Sequence, residues 1–207
     1  MRHDRDFGKG FCVQTEIDGR AAELATTVAT RICHDLAGLL SALSGTLELA
    51  GEDPEAATLA AETAATLIAR VQLLRAAWGG GAGPLGGAAI AGFAQGLPGI
   101  ERLHLDVGGL EGELAEVPAR LALCLLLAAG PGMPRGGGIR IADAPRGGVV
   151  VTLTGSGANW PESLASSAAW REATTPRALA APLACLLAEQ AGWRILLSGA
   201  TATAVPH

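Results

Sequence analysis

The chain has 207 residues, a net charge of -5, 49% hydrophobic and only 3% aromatic content, and a mean hydropathy of +0.34. That is too apolar for a disordered segment and long enough for one or two domains. Lys9 is the sole lysine and the arginines are scattered, which excludes the basic stripe and stacking rings that nucleic acid requires.

The N-terminus carries Arg2, Asp4, Arg5, Asp6 and Lys9, so it lacks the apolar stretch of a signal peptide; residues 1–18 read as a mobile leader, with His3 in a tail. The longest apolar runs, 121–129 and 178–188, fall short of the about 20 residues a membrane helix needs. The cysteines, Cys12, Cys33, Cys124 and Cys185, show no CxxC or His-linked spacing. Reduced thiols in a cytoplasmic protein are expected, with no membrane association and no metal site.

An uninterrupted helical pattern runs from about Ala21 to Ala50. At about 100° per residue, Val28, Ile32, Leu36, Leu39, Leu43 and Leu47 fall opposite His34, which therefore faces outward. Beside it on that face lie Thr27, Thr30, Gly38, Ser41 and Gly45, all small. Glycine inside a helix costs about 1 kcal/mol against alanine, so two on this face suggest that something approaches closely. Gly51-Glu52-Asp53-Pro54 then supplies a stop, an N-cap and a first-turn proline. A second helix follows, with Leu59, Thr63, Leu67, Val71, Leu74 and Trp78 forming a matching stripe. Two long amphipathic helices with a short connection make an antiparallel hairpin, and two such hairpins covering each other's stripes make a dimeric four-helix bundle. Residues 19–79 are this unit.

The run Gly79-Gly80-Gly81-Ala82-Gly83-Pro84 has nothing to pack; residues 80–86 read as a linker. Residues 87–207 carry a different rhythm. Helices are expected over Ala88–Gln95, Pro118–Ala129, Pro161–Trp170 and Pro176–Ala191. Strands are expected over Arg102–Val107, with His104 structural, and over Gly138–Ala142, Val149–Thr154 and Arg194–Ser198, mostly antiparallel, with a turn at Pro145-Arg146-Gly147-Gly148. The fold class is α+β: a helical hairpin followed by a small α/β sandwich.

The segments RICHDLAGLLSALSGTLELA and RVQLLRAAWG, with weaker support from LLLAAGPGMPRGGGIRI and the final helix and strand, resemble the ChpT-type histidine phosphotransferases of alphaproteobacteria. The resemblance covers most of the chain after residue 20. It implies a dimerising hairpin like that of histidine kinases, joined to a degenerate version of their ATP-binding domain. By that resemblance His34 is the phosphoacceptor and Asp35 holds its ring tautomer, with a plain surface charge the alternative for Asp35. Gly38, Ser41 and Gly45 would line the contact with a receiver domain. Arg31, one turn before His34, is a solvated charge or a partner contact, with a phosphoryl clamp the sharper alternative.

The implied activity is that of a phosphorelay carrier: His34 accepts a phosphoryl group from a receiver-domain aspartate of a hybrid histidine kinase and passes it to a response-regulator aspartate. A neutral imidazole is a competent nucleophile, and positioning plus charge neutralisation carry phosphoryl transfer. Receivers bring their own Mg²⁺, so no cofactor is expected on this chain. Where active kinases place a metal-binding asparagine, the matching position is Cys124, and Thr154-Gly155-Ser156-Gly157 replaces the Asp-x-Gly-x-Gly that reads adenine. Arg135-Gly136-Gly137-Gly138 follows a helix and precedes a strand, the reverse of the phosphate-binding loop order, and reads as a turn. The alternatives are an ATP-dependent histidine kinase core and a noncatalytic dimeric scaffold.

Overall fold

The computed structural model describes residues 8–172 and 176–207, with side chains described over 21–171 and from 178 onward. The first helix, α1, spans Gly8–Leu49, so it begins well before Ala21: residues 8–18, read above as part of a leader, continue the helix, and no proline interrupts them. His3 and the rest of residues 1–7 lie outside the described residues. The second helix, α2, spans Pro54–Trp78. Asp53 caps it, accepting a hydrogen bond from the Glu55 N–H at 2.8 Å, and Pro54 occupies the first turn, where its missing N–H costs nothing. The two helices pack as the expected antiparallel hairpin.

Beyond the glycine run come α3 (Gly87–Ala94), β1 (Leu103–Gly109), α4 (Glu116–Ala129), β2 (Gly137–Ala144), β3 (Gly148–Thr154), α5 (Ala180–Gln190), β4 (Trp193–Ser198) and β5 (Thr201–Pro206). The sheet order is β1-β2-β3-β5-β4. The β1–β2 pair is parallel, a departure from a mainly antiparallel expectation that follows from α4 crossing over between them. The remaining pairs are antiparallel. Strand β5 escapes a reading by hydrophobic pattern because its buried positions before Val205 are Ala202 and Ala204, alternating with Thr201 and Thr203. It nonetheless separates β3 from β4.

The helix expected over Pro161–Trp170 is instead two short 3₁₀ turns, Glu162–Ala165 and Ser167–Glu172. Ser166 Oγ takes the Ala168 N–H at 3.2 Å, a local bond that competes with helix propagation. The expected helix from Pro176 resolves into a 3₁₀ turn, Pro176–Leu179, followed by α5; residues 173–175 lie outside the description.

Helix α4 is buried nearly all round, with Leu121, Leu123, Leu125 and Leu126 at 1% exposure or less. Such a helix must be covered on every side, and its neighbours explain how. It packs against β3 and α5 on one side and α2 on the other. Arg120 Nε donates to the Ala77 carbonyl at 3.0 Å and Cys124 Sγ donates to the same oxygen at 3.4 Å. The last carbonyls of α2, which a helix end leaves without partners, are thus satisfied by α4. One hydrophobic cluster accordingly runs from Leu73, Leu74 and Ala77 through α4 to the sheet, and Ile32 and Leu36 of α1 pack against it. Leu24 and Val28 pack on a second cluster of Trp170, Leu179 and Leu183. Gly80, Gly81 and Gly83 hold positive φ values of 128°, 91° and 78°, the backbone that brings the chain sharply from α2 into the sandwich.

Candidate functional site

His34 lies in the middle of α1 with its side chain 62% exposed, and Gly38, Ser41 and Gly45 are exposed along the same face. A Cβ built on Gly38 or on Gly45 meets nothing within 4 Å. The smallness of this face therefore relieves no clash among the described residues.

Immediately inward the chemistry changes. Arg31 Nε donates to Asp35 Oδ2 at 2.8 Å across one helical turn. Arg70 reaches over from α2, its Nη1 3.9 Å from the same oxygen. The other carboxylate oxygen, Oδ1, stands 3.7 Å from His34 Nδ1, beyond hydrogen-bond length. The side chains of Arg31, Asp35 and Arg70 are 6%, 9% and 7% exposed. Arg31 is thus no solvated charge and Asp35 no surface charge; both are drawn inward because each supplies the other's counterion and Arg70 shares it. Burial lowers the Arg70 pKa from its ordinary value, with Asp35 opposing the shift and the Arg31 charge adding to it.

Arg70 is the residue the sequence reading missed, although the signal exists. At about 100° per residue it lies within about 60° of Leu67, Leu73 and Leu74, so α2 carries a charge inside its buried arc. No acid stands three or four residues away on either side, so its counterion has to come from another element.

His34, Asp35, Arg31 and Arg70 line a cavity of about 620 Å³ whose opposite wall is the segment from Gln95 through Leu97 and Pro98 to Glu101. The hairpin and the sandwich thus both contribute to it. His104, on β1 as expected, has an exposed side chain and is not among the residues lining this cavity.

Cys124 and the Arg135-to-Gly138 turn, the segments set against a kinase nucleotide site in the sequence, both pack against the chain's own backbone. Cys124 is fully buried against α2, and burial pushes its thiol up to about 12. A Cβ on Gly136 would collide with the Arg102 carbonyl oxygen and one on Gly137 with that of Thr154. The Arg135-to-Gly138 turn, with φ of 77° at Gly136 and 141° at Gly137, is therefore packed against the chain's own backbone. Among the described residues the free cysteines are Cys33, exposed, and Cys124 and Cys185, both buried. No described helix is long and apolar enough to cross a membrane.

Comparison with known proteins agrees with this architecture. Residues 88–203 match the family described as "Histidine phosphotransferase C-terminal domain". The chain is 30% identical over 190 residues to the protein phosphotransferase ChpT of Brucella abortus (strain 2308), covering 84% of this chain and 90% of that protein. Among solved structures, a bacterial phosphotransferase superposes with a TM-score of 0.69 at 21% identity, over 89% of this chain and 97% of that one, a likeness of fold. The family match over residues 88–203, together with the 30% identity to ChpT across most of both chains, places the chain in the histidine phosphotransferase family.

Proposed function

We propose that His34 is the phosphoacceptor of a phosphorelay carrier, taking a phosphoryl group from a receiver-domain aspartate and delivering it to a second receiver. The observation that carries this reading is the exposed imidazole with its Nδ1 turned to Asp35, which leaves Nε2 free as the attacking nitrogen. In-line attack forms the N–P bond as the P–O bond to the donor aspartate breaks, and the electron pair of that bond stays on the departing carboxylate. The reverse reaction, onto a second aspartate, discharges the carrier. Receivers supply their own Mg²⁺, so this chain contributes the nucleophile, its electrostatic setting and a docking face along Gly38, Ser41 and Gly45. The donor is the receiver of a hybrid kinase and the acceptor that of a response regulator.

The same reading includes a homodimer. Leu47, Leu59 and Val71 are 58%, 51% and 44% exposed, and Val71 lines an apolar groove of about 260 Å³ with Val28, Ile32, Leu36 and Trp78. A second hairpin covering these residues gives a four-helix bundle. A cytoplasmic location fits a chain that works on receivers with exposed Cys33 held as a free thiol.

ATP has no part in the reaction. The glycine turn is filled by backbone, the buried Cys124 thiol is a poor Mg²⁺ ligand, and Thr154-Gly155-Ser156-Gly157 offers adenine no carboxylate. The test is radiolabel transfer: His34 gains label from a phosphorylated receiver without ATP, and His34→Ala gains none while keeping its fold, since an exposed side chain contributes little to the core. Label arriving from ATP alone makes the chain a kinase; no label from either source leaves a scaffold.

A further inference from the structure

We propose that Arg31 and Arg70 form a two-guanidinium seat for the phosphoryl group on His34, with Arg70 the contribution of the second helix. The inference rests on the carrier reading and adds to it a residue that acts on the carried group.

Two arginines, which keep their protons in proteins, share a single carboxylate oxygen, at 2.8 Å from Arg31 and 3.9 Å from Arg70. The cluster therefore holds one more positive than negative charge. Both arginines are 5% exposed, and Arg31 Nη1 and Arg70 Nε are buried with no hydrogen-bond partner. The other acid lining the cavity, Glu101, does not compensate them: it is 72% exposed and lies 3.6 Å from Arg102. A buried cation in surplus is costly unless an anion joins it. The anion that arrives in this cavity is the phosphoryl group, which brings close to two negative charges to a cavity that His34 and both arginines line together. Planar guanidinium suits phosphate oxygens in pairs, and with the Asp35 carboxylate facing the ring at Nδ1 the seat gives the phosphoryl oxygens on Nε2 the arginines rather than the carboxylate as partners.

The test follows the phosphoryl group itself. Full-length protein is phosphorylated at His34 with a radiolabelled phosphorylated receiver and, independently, with the small-molecule donor phosphoramidate, and the ³¹P resonance is titrated in wild type, Arg70→Gln and Arg70→Lys. A nearby cation favours the dianion, so the phosphoryl pKa is expected to rise by about one pH unit in Arg70→Gln, with Arg70→Lys intermediate. Equilibrium label from the receiver falls about tenfold in Arg70→Gln, the same shift expressed as a ratio. A purely structural Arg70 moves the melting temperature and leaves the titration alone. Identical titrations in folded wild type and Arg70→Gln overturn the seat while leaving His34 as carrier. If Arg70→Gln does not fold, Arg70→Lys is read alone, and no shift in it overturns the seat. A wild-type chain that takes no phosphoryl group from either donor overturns the carrier and the seat together.

Discussion

Arg70 on the second helix and Asp35 on the first meet across the hairpin, Nη1 to Oδ2 at 3.9 Å, one residue from the histidine. This contact is what turns a surface helix with an incidental imidazole into a site with a charged floor. Asp35 is the hub, since it also receives Arg31 and faces His34.

Asp35→Ala is expected to damage stability and transfer together. It leaves two buried guanidiniums without a counterion, and breaking a buried pair by removing one partner costs about 3–5 kcal/mol. The midpoint of urea unfolding should fall accordingly, and the labelling rate of His34 should fall even under conditions where the variant is fully folded. A variant as stable as wild type means that solvent reaches the two arginines and the network contributes little.

Gly45→Arg isolates the docking face. A Cβ there meets nothing within 4 Å and helix propensity improves on replacing glycine, so stability should hold or rise by about 0.5 to 1 kcal/mol. Receiver docking, by contrast, meets a long side chain about three turns from His34 on the same face. The expected result is an unchanged melting curve with a rise in the receiver concentration needed for half-maximal transfer. Unchanged transfer puts the contact elsewhere on the chain.

How much of this was legible in the sequence follows from what each residue depends on. His34 and its small neighbours were readable because helix period alone sets their direction, and the hairpin, the turn at Pro145 to Gly148 and most of the strands depend on equally local signals. Arg31 and Asp35 were legible as a motif but their burial was not, because it is decided by Arg70, thirty-five residues beyond Asp35 in the chain. The far wall of the cavity, from Gln95 to Glu101, has no motif. Its place is set by the packing of α3 and β1 against each other and against α2. Strand β5 was missed because alanine and threonine alternate there without a bulky apolar residue until Val205.

The exposed apolar side of the hairpin predicts an assembly state. Val71 is 44% exposed and lines the groove with Ile32 and Leu36, so Val71→Asp should abolish dimerisation by burying a charge in the interface while leaving the monomer's core untouched. Light scattering on the full chain reads this directly: wild type at twice the chain mass, Val71→Asp at the chain mass. The full chain is the right sample because Leu73, Leu74 and Ala77 are buried against the sandwich and a hairpin cut at Gly79 would expose them. Wild type running as a monomer at micromolar concentration refutes the bundle.

The last prediction concerns Cys124 and the alkaline limb of stability. In the folded chain burial pushes its thiol up to about 12 from an ordinary 9.0, against a smaller opposing pull from Arg120. Below pH 9 the thiol is protonated in both the folded and the unfolded chain, and it contributes no pH dependence. Between about pH 9 and 12 the unfolded chain releases this proton and the folded chain keeps it, so the unfolded state binds fewer protons and stability falls as pH rises. One such group gives a slope of about 1 kcal/mol per pH unit. Urea unfolding at pH 8 to 11 should show a steeper decline in wild type than in Cys124→Ala, since replacing the thiol removes that term while other titrating groups are common to both. The same burial predicts that a thiol reagent at pH 8 modifies Cys33 and spares Cys124, read residue by residue by mass spectrometry. Equal slopes in the two chains, or modification of Cys124 at the rate of Cys33, would mean that the thiol opens to solvent and that the seal between α4 and the end of α2 is loose.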